Sequence, residues 1–209
     1  MATLDSTAEL IRAALEAKNR ARDATLEDAR LLTRLCGNAI RAMHRQDWQA
    51  AERLLGEARQ TLHGMTVRLA DLPDLYYAGY FQDAAKEYGE ASTTLALLRD
   101  APLPTPADLG IEPATYLNSL AEAASELRRY ILDILRHHHD DQAEALLAKM
   151  DDIYAVLTTF DFPDAVSGGL RHRVDNLRGV LERTRGDVTT SLRQHRLQQA
   201  LERAEGHQA

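Results

Sequence analysis

Four of the six prolines fall in one stretch, DAPLPTPADLGIEP at 100–113, and the chain on either side of it reads as helix nearly everywhere. Proline fixes φ and removes a backbone donor, so a cluster of them ends helices locally and leaves the proline-free stretches able to form long ones. Those stretches are rich in Ala, Leu, Glu and Arg and contain few β-branched runs, which predicts an all-α protein. Helices are expected over about 4–44, with Asp5 or Ser6 near the start as a cap, and over about 48–70. The DLPD turn at 71–74 precedes a third over 75–99; a fourth and fifth cover 114–138 and 141–160. DFPDAVSGGL then leads into a last helical stretch over 170–204, with an interruption expected near Gly186. No internal repeat or low-complexity tract is present.

A chain of 209 residues, 44% hydrophobic and 27% charged, suits one domain over 1–209 with a single sizeable core. Charge interrupts every apolar run, and the start MATLDSTAEL has neither a basic segment nor an apolar one, so neither an export signal nor a membrane span is expected. The lone Cys36 has no internal partner, which agrees with a reducing interior and an expected cytoplasmic location.

The net charge of −7 argues against a protein coated all over by nucleic acid, yet it permits a local basic channel. Of the 25 cationic residues 22 are Arg, a bias that genome composition explains as readily as phosphate recognition does. Arg30, Arg34, Arg41 and Arg45 share one face of the first helix. In the last, Leu170, Val174, Leu177 and Leu181 form an apolar stripe flanked by Arg171, Arg173, Arg178, Arg183 and Arg185, against only Asp175 and Glu182. Each basic face reads either as a solvated, salt-bridged surface or, if the two meet in a cavity, as a phosphate track.

The acids raise a sharper question. FQDAAKEYGEAS at 81–92 places Asp83, Glu87 and Glu90 along one side of a helix, beside aromatic rings; YLNSLAEAASELRRY stacks Glu122 above Glu126. If the two helices pack antiparallel across the proline loop, Glu87, Glu90, Glu122 and Glu126 converge. Uncompensated carboxylates repel one another and raise one another's pKa, so a cluster of four calls for a cation. All-oxygen ligands suit Mg²⁺ or Mn²⁺, which activate water and offset charge in phosphodiester cleavage. The plain alternative is two exposed glutamate pairs of the kind many helices carry.

Over nearly its whole length the chain resembles the translin and TRAX family, and at the acidic positions it is more similar to TRAX. KEYGEA at 86–91 is similar to a Glu-Tyr-x-Glu-Ala element, YLNSLAEAASELRR at 116–129 to a second TRAX element, and MDDIYAVLTTFDFPDAVSGGLRHRVDNLRGVLERTRGDV to the carboxy-terminal helices of both members. The resemblance implies a seven-helix protomer in a hollow homo-oligomer, typically an octamer, that binds single-stranded RNA or DNA inside. It carries a metal-dependent endoribonuclease site onto Glu87, Glu90, Glu122 and Glu126, with Mg²⁺ or Mn²⁺ as cofactor. Glu122 stands where TRAX has Asp, which lengthens that ligand by a methylene. Translin lacks the acidic pair of the third helix. The extended basic amino-terminal segment of animal TRAX is missing too, so nuclear import is not implied. Arg34, Arg41, Arg45, Arg178 and Arg185 are the candidate nucleic-acid contacts.

Other features have simpler readings. HHHDD at 137–141 complements a helix carboxy-terminal dipole as well as it would bind a metal. No Glu-x-x-His pair supports a di-iron site. Tyr76, Tyr77, Tyr80 and Phe81 serve either helix packing or base stacking, and Asp151 and Asp152 have no derived role. The expected function is a metal-dependent endoribonuclease on single-stranded RNA; the alternatives are a non-catalytic strand-binding oligomer of translin type and a purely structural helical protein.

Overall fold

A computed structural model describes residues 3–137 and 140–206. The described residues are helical with short connections: α1 (Leu4–His44), α2 (Trp48–Arg68), α3 (Pro73–Tyr76), α4 (Gly79–Leu98), α5 (Pro106–Leu109), α6 (Pro113–Leu135), α7 (Asp140–Leu157), α8 (Asp164–Ser167) and α9 (Leu170–Gly206). Six of these are long, and α3, α5 and α8 are single turns. Thr3, two residues before the nearer of the expected caps Asp5 and Ser6, closes the start of α1. Its hydroxyl accepts from the Ser6 N–H, and its own N–H donates to the Ser6 hydroxyl, a reciprocal capping box.

Three expectations about helix bounds change. The third predicted helix is broken at Ala78, whose backbone is extended, so α3 and α4 meet at an angle; Gln82 Nε2 donates to the Tyr76 carbonyl across the break at 3.0 Å. The proline loop contains the turn α5, capped by Thr105 and Asp108 and ended by Gly110 at φ 67°. Last, α9 runs through Gly186 without interruption. A helical glycine costs only about 1 kcal/mol relative to Ala. Here Arg128 clamps both sides of it, donating to Thr184 Oγ1 at 3.2 Å and pairing with Asp187 at 2.8 Å. Of the histidine run, His138 and His139 lie outside the described residues.

Two cores form. One joins α1, α2 and α4 through Leu32, Cys36, Ala39, Met43, Leu62 and Phe81; the other joins α6, α7 and α9 through Leu127, Ile131, Met150, Leu157, Leu170 and Leu177. Trp48, Leu98 and Tyr116 pack against both. The seam between the cores is the α4–α6 contact, and its direction corrects the antiparallel expectation. Thr115 Oγ1 donates to Gln82 Oε1 at 2.6 Å and Ser119 Oγ to the Lys86 carbonyl at 3.0 Å, both at an offset of 33 residues. Contacts that advance in step along both helices belong to a parallel pair. Residues 99–112 span up to roughly 45 Å when extended, against roughly 30 Å for a helix of twenty residues, so this connection can return the chain to the starting end.

Gly89 lies at the closest point of the seam. A Cβ built there would fall 2.3 Å from Ser119 Oγ, 2.8 Å from Ser119 Cβ and 2.9 Å from Ile111 Cδ1. Gly89→Ala should therefore push α4 off α6 and destabilise the protein by about 1–3 kcal/mol in denaturant unfolding. Gly56→Ala on α2, where a Cβ meets nothing within 4 Å, serves as the control and should be neutral or stabilising.

Candidate metal and RNA site

Parallel packing decides which acids meet. With α4 and α6 in this register, Glu87 and Glu90 lie across from Glu122, and one carboxylate oxygen from each of the three lies within 4.8 Å of the others. Glu126 is one helical turn farther along α6 and is taken up differently: its carboxylate is contacted by Nε2 of His44, the last residue of α1. His44 is almost fully buried, and its Nδ1 has no partner among the described residues, so the ring donates through Nε2. Asp83, on the same helix side in the sequence, is exposed and stands apart from the group.

The three clustered acids differ in electrostatic environment. Burial raises Glu90, the charges of Glu87 and Glu122 raise it further, and only Lys86 opposes them; its pKa is pushed up from an ordinary 4.5 to about 8. Burial also raises Glu122, but hydrogen bonds and charge from Lys86 and Arg173 outweigh it and hold that carboxyl below the ordinary range. Lys86 Nζ contacts Glu122 Oε2 and lies 3.4 Å from Glu87 Oε1. Arg173 Nε donates to Glu122 Oε1 at 2.9 Å, and its Nη1 donates to Asn118 Oδ1 and the Gly168 carbonyl, each at 3.1 Å. Buried Asn118 in turn donates to the carbonyls of Ala114 and Ser167, both at 2.7 Å. Gly168 and Gly169, at φ 62° and 79°, give the α8–α9 link the left-handed turns that bring Arg173 back over α6. Cys36 on α1 borders the cluster, its thiol raised to about 12 by burial and then by the charges of Glu87 and Glu90.

The donor set fits a hard divalent cation. It is all oxygen, close enough to share one ion, and includes a half-buried carboxyl that carries its charge at a cost a cation would relieve. The basic residues lie farther out. Arg34, Arg41 and Arg45 are exposed on α1, and Arg178 and Arg185 are exposed on α9, in the other core. Arg178 pairs with Glu182 at 3.1 Å and Arg185 with Asp151, which gives that aspartate a structural partner. Arg41 donates to Asn38 Oδ1 at 2.6 Å, whereas Arg34 and Arg45 have no ion pair among the described residues. Tyr76 and Phe81 pack ring to ring, with centroids 4.7 Å apart, while Tyr77 is exposed. Sequence reasoning missed His44, Lys86, Asn118 and Arg173 as site residues.

No protein-family model matches the chain. It is 29% identical over 190 residues to an uncharacterised protein of Methanocaldococcus jannaschii, which covers 90% of this chain and 84% of that one. Among solved structures it is similar to AfC3PO, both alone and in complex with duplex RNA. In each case the identity is 31% and the TM-score 0.83, over 88% of this chain and 96% of the other. NeC3PO in its apo form has the same fold, at 16% identity and a TM-score of 0.81 over 91% of this chain and 100% of that one.

The raised Glu90 carboxyl makes a pH prediction. The folded protein holds a proton there that the unfolded chain releases near 4.5, so the metal-free protein should lose stability as pH rises from 4.5 to about 8 and lose no more from this group above that. Glu90→Gln should remove that part of the slope when unfolding is followed across the same range.

Proposed function

Since the chain belongs to the translin/C3PO family, we propose that it binds RNA and, on the TRAX-like side of that family, cleaves it with a divalent cation held by Glu87, Glu90 and Glu122. One observation carries the catalytic part: two helices from different cores bring these three carboxylates within 4.8 Å of one another. Mg²⁺ or Mn²⁺ bound there would supply activation of water for attack on phosphorus and neutralisation of the phosphate. The chain's own residues do the positioning. Arg173, anchored by Asn118 and the Gly168 carbonyl, aims Glu122, and His44 holds Glu126 one turn away. Of the five candidate arginines, Arg34 and Arg45 are exposed and free of ion pairs among the described residues, whereas Arg41, Arg178 and Arg185 would give up local partners to reach a phosphate.

A homo-oligomer that encloses the strand, eight chains in the proposed form, is supported by the exposed apolar side chains of the first turns of α1. Leu4, Leu10, Ile11 and Leu15 are all more than half exposed, an apolar stripe that a second copy would cover. The proposed substrate is single-stranded RNA, and single-stranded DNA is proposed as a further ligand. The complex of AfC3PO with duplex RNA makes a duplex the necessary comparison. No described helix is long and apolar enough to cross a membrane, and the proposed location is the cytoplasm. A second reading, binding without cleavage, is favoured by one specific contact: Glu122 already has cationic partners in Lys86 and Arg173.

The two readings separate in a single set of assays. Purified protein should cut single-stranded RNA with Mg²⁺ or Mn²⁺ and stop on chelation. Glu90→Ala should lose cleavage by about 100-fold or more while RNA binding is kept. In parallel, RNA affinity should fall steeply with salt, and replacing Arg34 and Arg45 by Gln should flatten that slope by about two units at most. Wild type that binds RNA but never cuts it, single-stranded or duplex, establishes the binding reading in place of the enzyme.

A further inference from the structure

The chain has three lysines, Lys18, Lys86 and Lys149. Lys18 pairs with the exposed Asp74, and Lys149 with the exposed Asp100 at 2.7 Å. Lys86 is different: its side chain is only 12% exposed and its ammonium is directed into the acidic group. Nζ contacts Glu122 Oε2 and lies 3.4 Å from Glu87 Oε1, so it occupies oxygens of two of the three residues that would hold a metal. An ammonium and a divalent cation cannot both hold the same carboxylate oxygens at close range without repelling each other.

The two cations on Glu122 are not equally free to leave. Arg173 is tied by its Nη1 to Asn118 Oδ1 and to the Gly168 carbonyl, so its guanidinium is held whether or not Glu122 turns. The Lys86 ammonium has no partner among the described residues beyond Glu87 and Glu122. Its backbone is fixed in α4, with the carbonyl accepting from Ser119, but four methylenes carry the charge. A cavity of about 480 Å³ opens beside it, lined by Gln82, Asp83, Lys86, Glu112, Asn118 and Arg173 among others. The lysine thus has somewhere to go.

We propose that Lys86 is a resident cation that bridges Glu87 and Glu122 before metal arrives, and that a divalent ion taking those oxygens displaces its ammonium into the adjacent cavity. The inference rests on the metal-dependent reading of the site. Lys86 is a positioning residue: it lets the folded chain keep its acids together without metal, and it sets how tightly metal binds. Asp83 and Glu112 line that cavity and offer the displaced ammonium carboxylate partners there.

The test needs no cleavage. Mn²⁺ alone is titrated calorimetrically into the full-length wild type, Lys86→Gln and Lys86→Arg. Loss of the competing charge should tighten binding about tenfold or more in Lys86→Gln, and Lys86→Arg, which keeps the charge, should stay close to wild type. Unchanged or weaker binding in Lys86→Gln overturns the proposal. A second measurement uses only the wild type and holds even if the variant fails to fold. Lysine acetylation is compared with and without Mg²⁺ by peptide mass spectrometry, with Lys18 and Lys149 as internal references. Lys86 labelling should rise several-fold while the references stay constant; constant or reduced Lys86 labelling overturns displacement. If metal binds but Lys86 neither competes nor moves, only this proposal fails. If neither wild type nor variant binds Mn²⁺, the metal reading fails and takes the proposal with it.

Discussion

At Gly89 the backbone of α4 approaches Ser119 of α6 so closely that a Cβ would sit 2.3 Å from the serine hydroxyl, and the acidic site inherits its geometry from that contact. Ser119 turns the approach into a bond by donating to both the Lys86 and Thr115 carbonyls. With the helices locked at this point and running parallel, a residue on α4 meets one about 33 positions later on α6. That register puts Glu87 and Glu90 opposite Glu122 and leaves Glu126 one turn on, where it meets His44. The cores on either side are conventional apolar packing; the seam between them carries the acidic cluster.

Within the site the charges are unevenly matched. Glu122 has two cations and is held in its ionised form, whereas Glu90 has burial and carboxylate neighbours acting on it and favours its proton. A fully compensated cluster would have no use for a metal, and a fully uncompensated one would strain the α4–α6 seam. The arrangement lies between these limits: ion pairs enough to keep the helices together, and one carboxyl whose charge is unfavourable until a further cation arrives. Carboxylate binding of a divalent ion releases that proton, so metal affinity at this site must rise with pH through the range where Glu90 titrates.

Local sequence made the long helices legible. α1 has the expected bounds, and the Gly and Pro positions mark most other ends, because capping and propensity act over a few residues. The break at Ala78 was not legible, since neither Gly79 nor its neighbours distinguish an extended residue from one more helical turn. The parallel direction of α4 and α6 was out of reach as well. It depends on the path of the connection, and a chain of that length can close an antiparallel hairpin or return for a parallel pair with equal ease. The acids were legible as i,i+3 and i,i+4 pairs together with a family resemblance. Their partners were not: His44 reaches Glu126 from 82 residues away, and Arg173 reaches Glu122 from 51. Such pairs follow from three helices meeting, and no periodicity along one helix encodes them.

The proposed function requires an acidic chain to separate the charges it shows a strand from the charges it shows a metal. The separation here follows the helices. The clustered acids lie on α4 and α6, in the seam, and are half-buried. The candidate arginines lie exposed on α1 and α9, and those of α9 are partly spent on Glu182 and Asp151. In the proposed function a phosphate approaching along α1 would meet the exposed Arg34 and Arg45, whereas the clustered carboxylates are half-buried and two of them, Glu87 and Glu122, are paired with Lys86. The net charge of −7 is therefore no obstacle to binding, because repulsion between exposed acids and a distant phosphate is screened within roughly 8–10 Å at physiological salt. What matters is the charge within that radius of the strand, and on α1 between Arg30 and Arg45 every ionisable residue apart from Cys36 and His44 is an arginine.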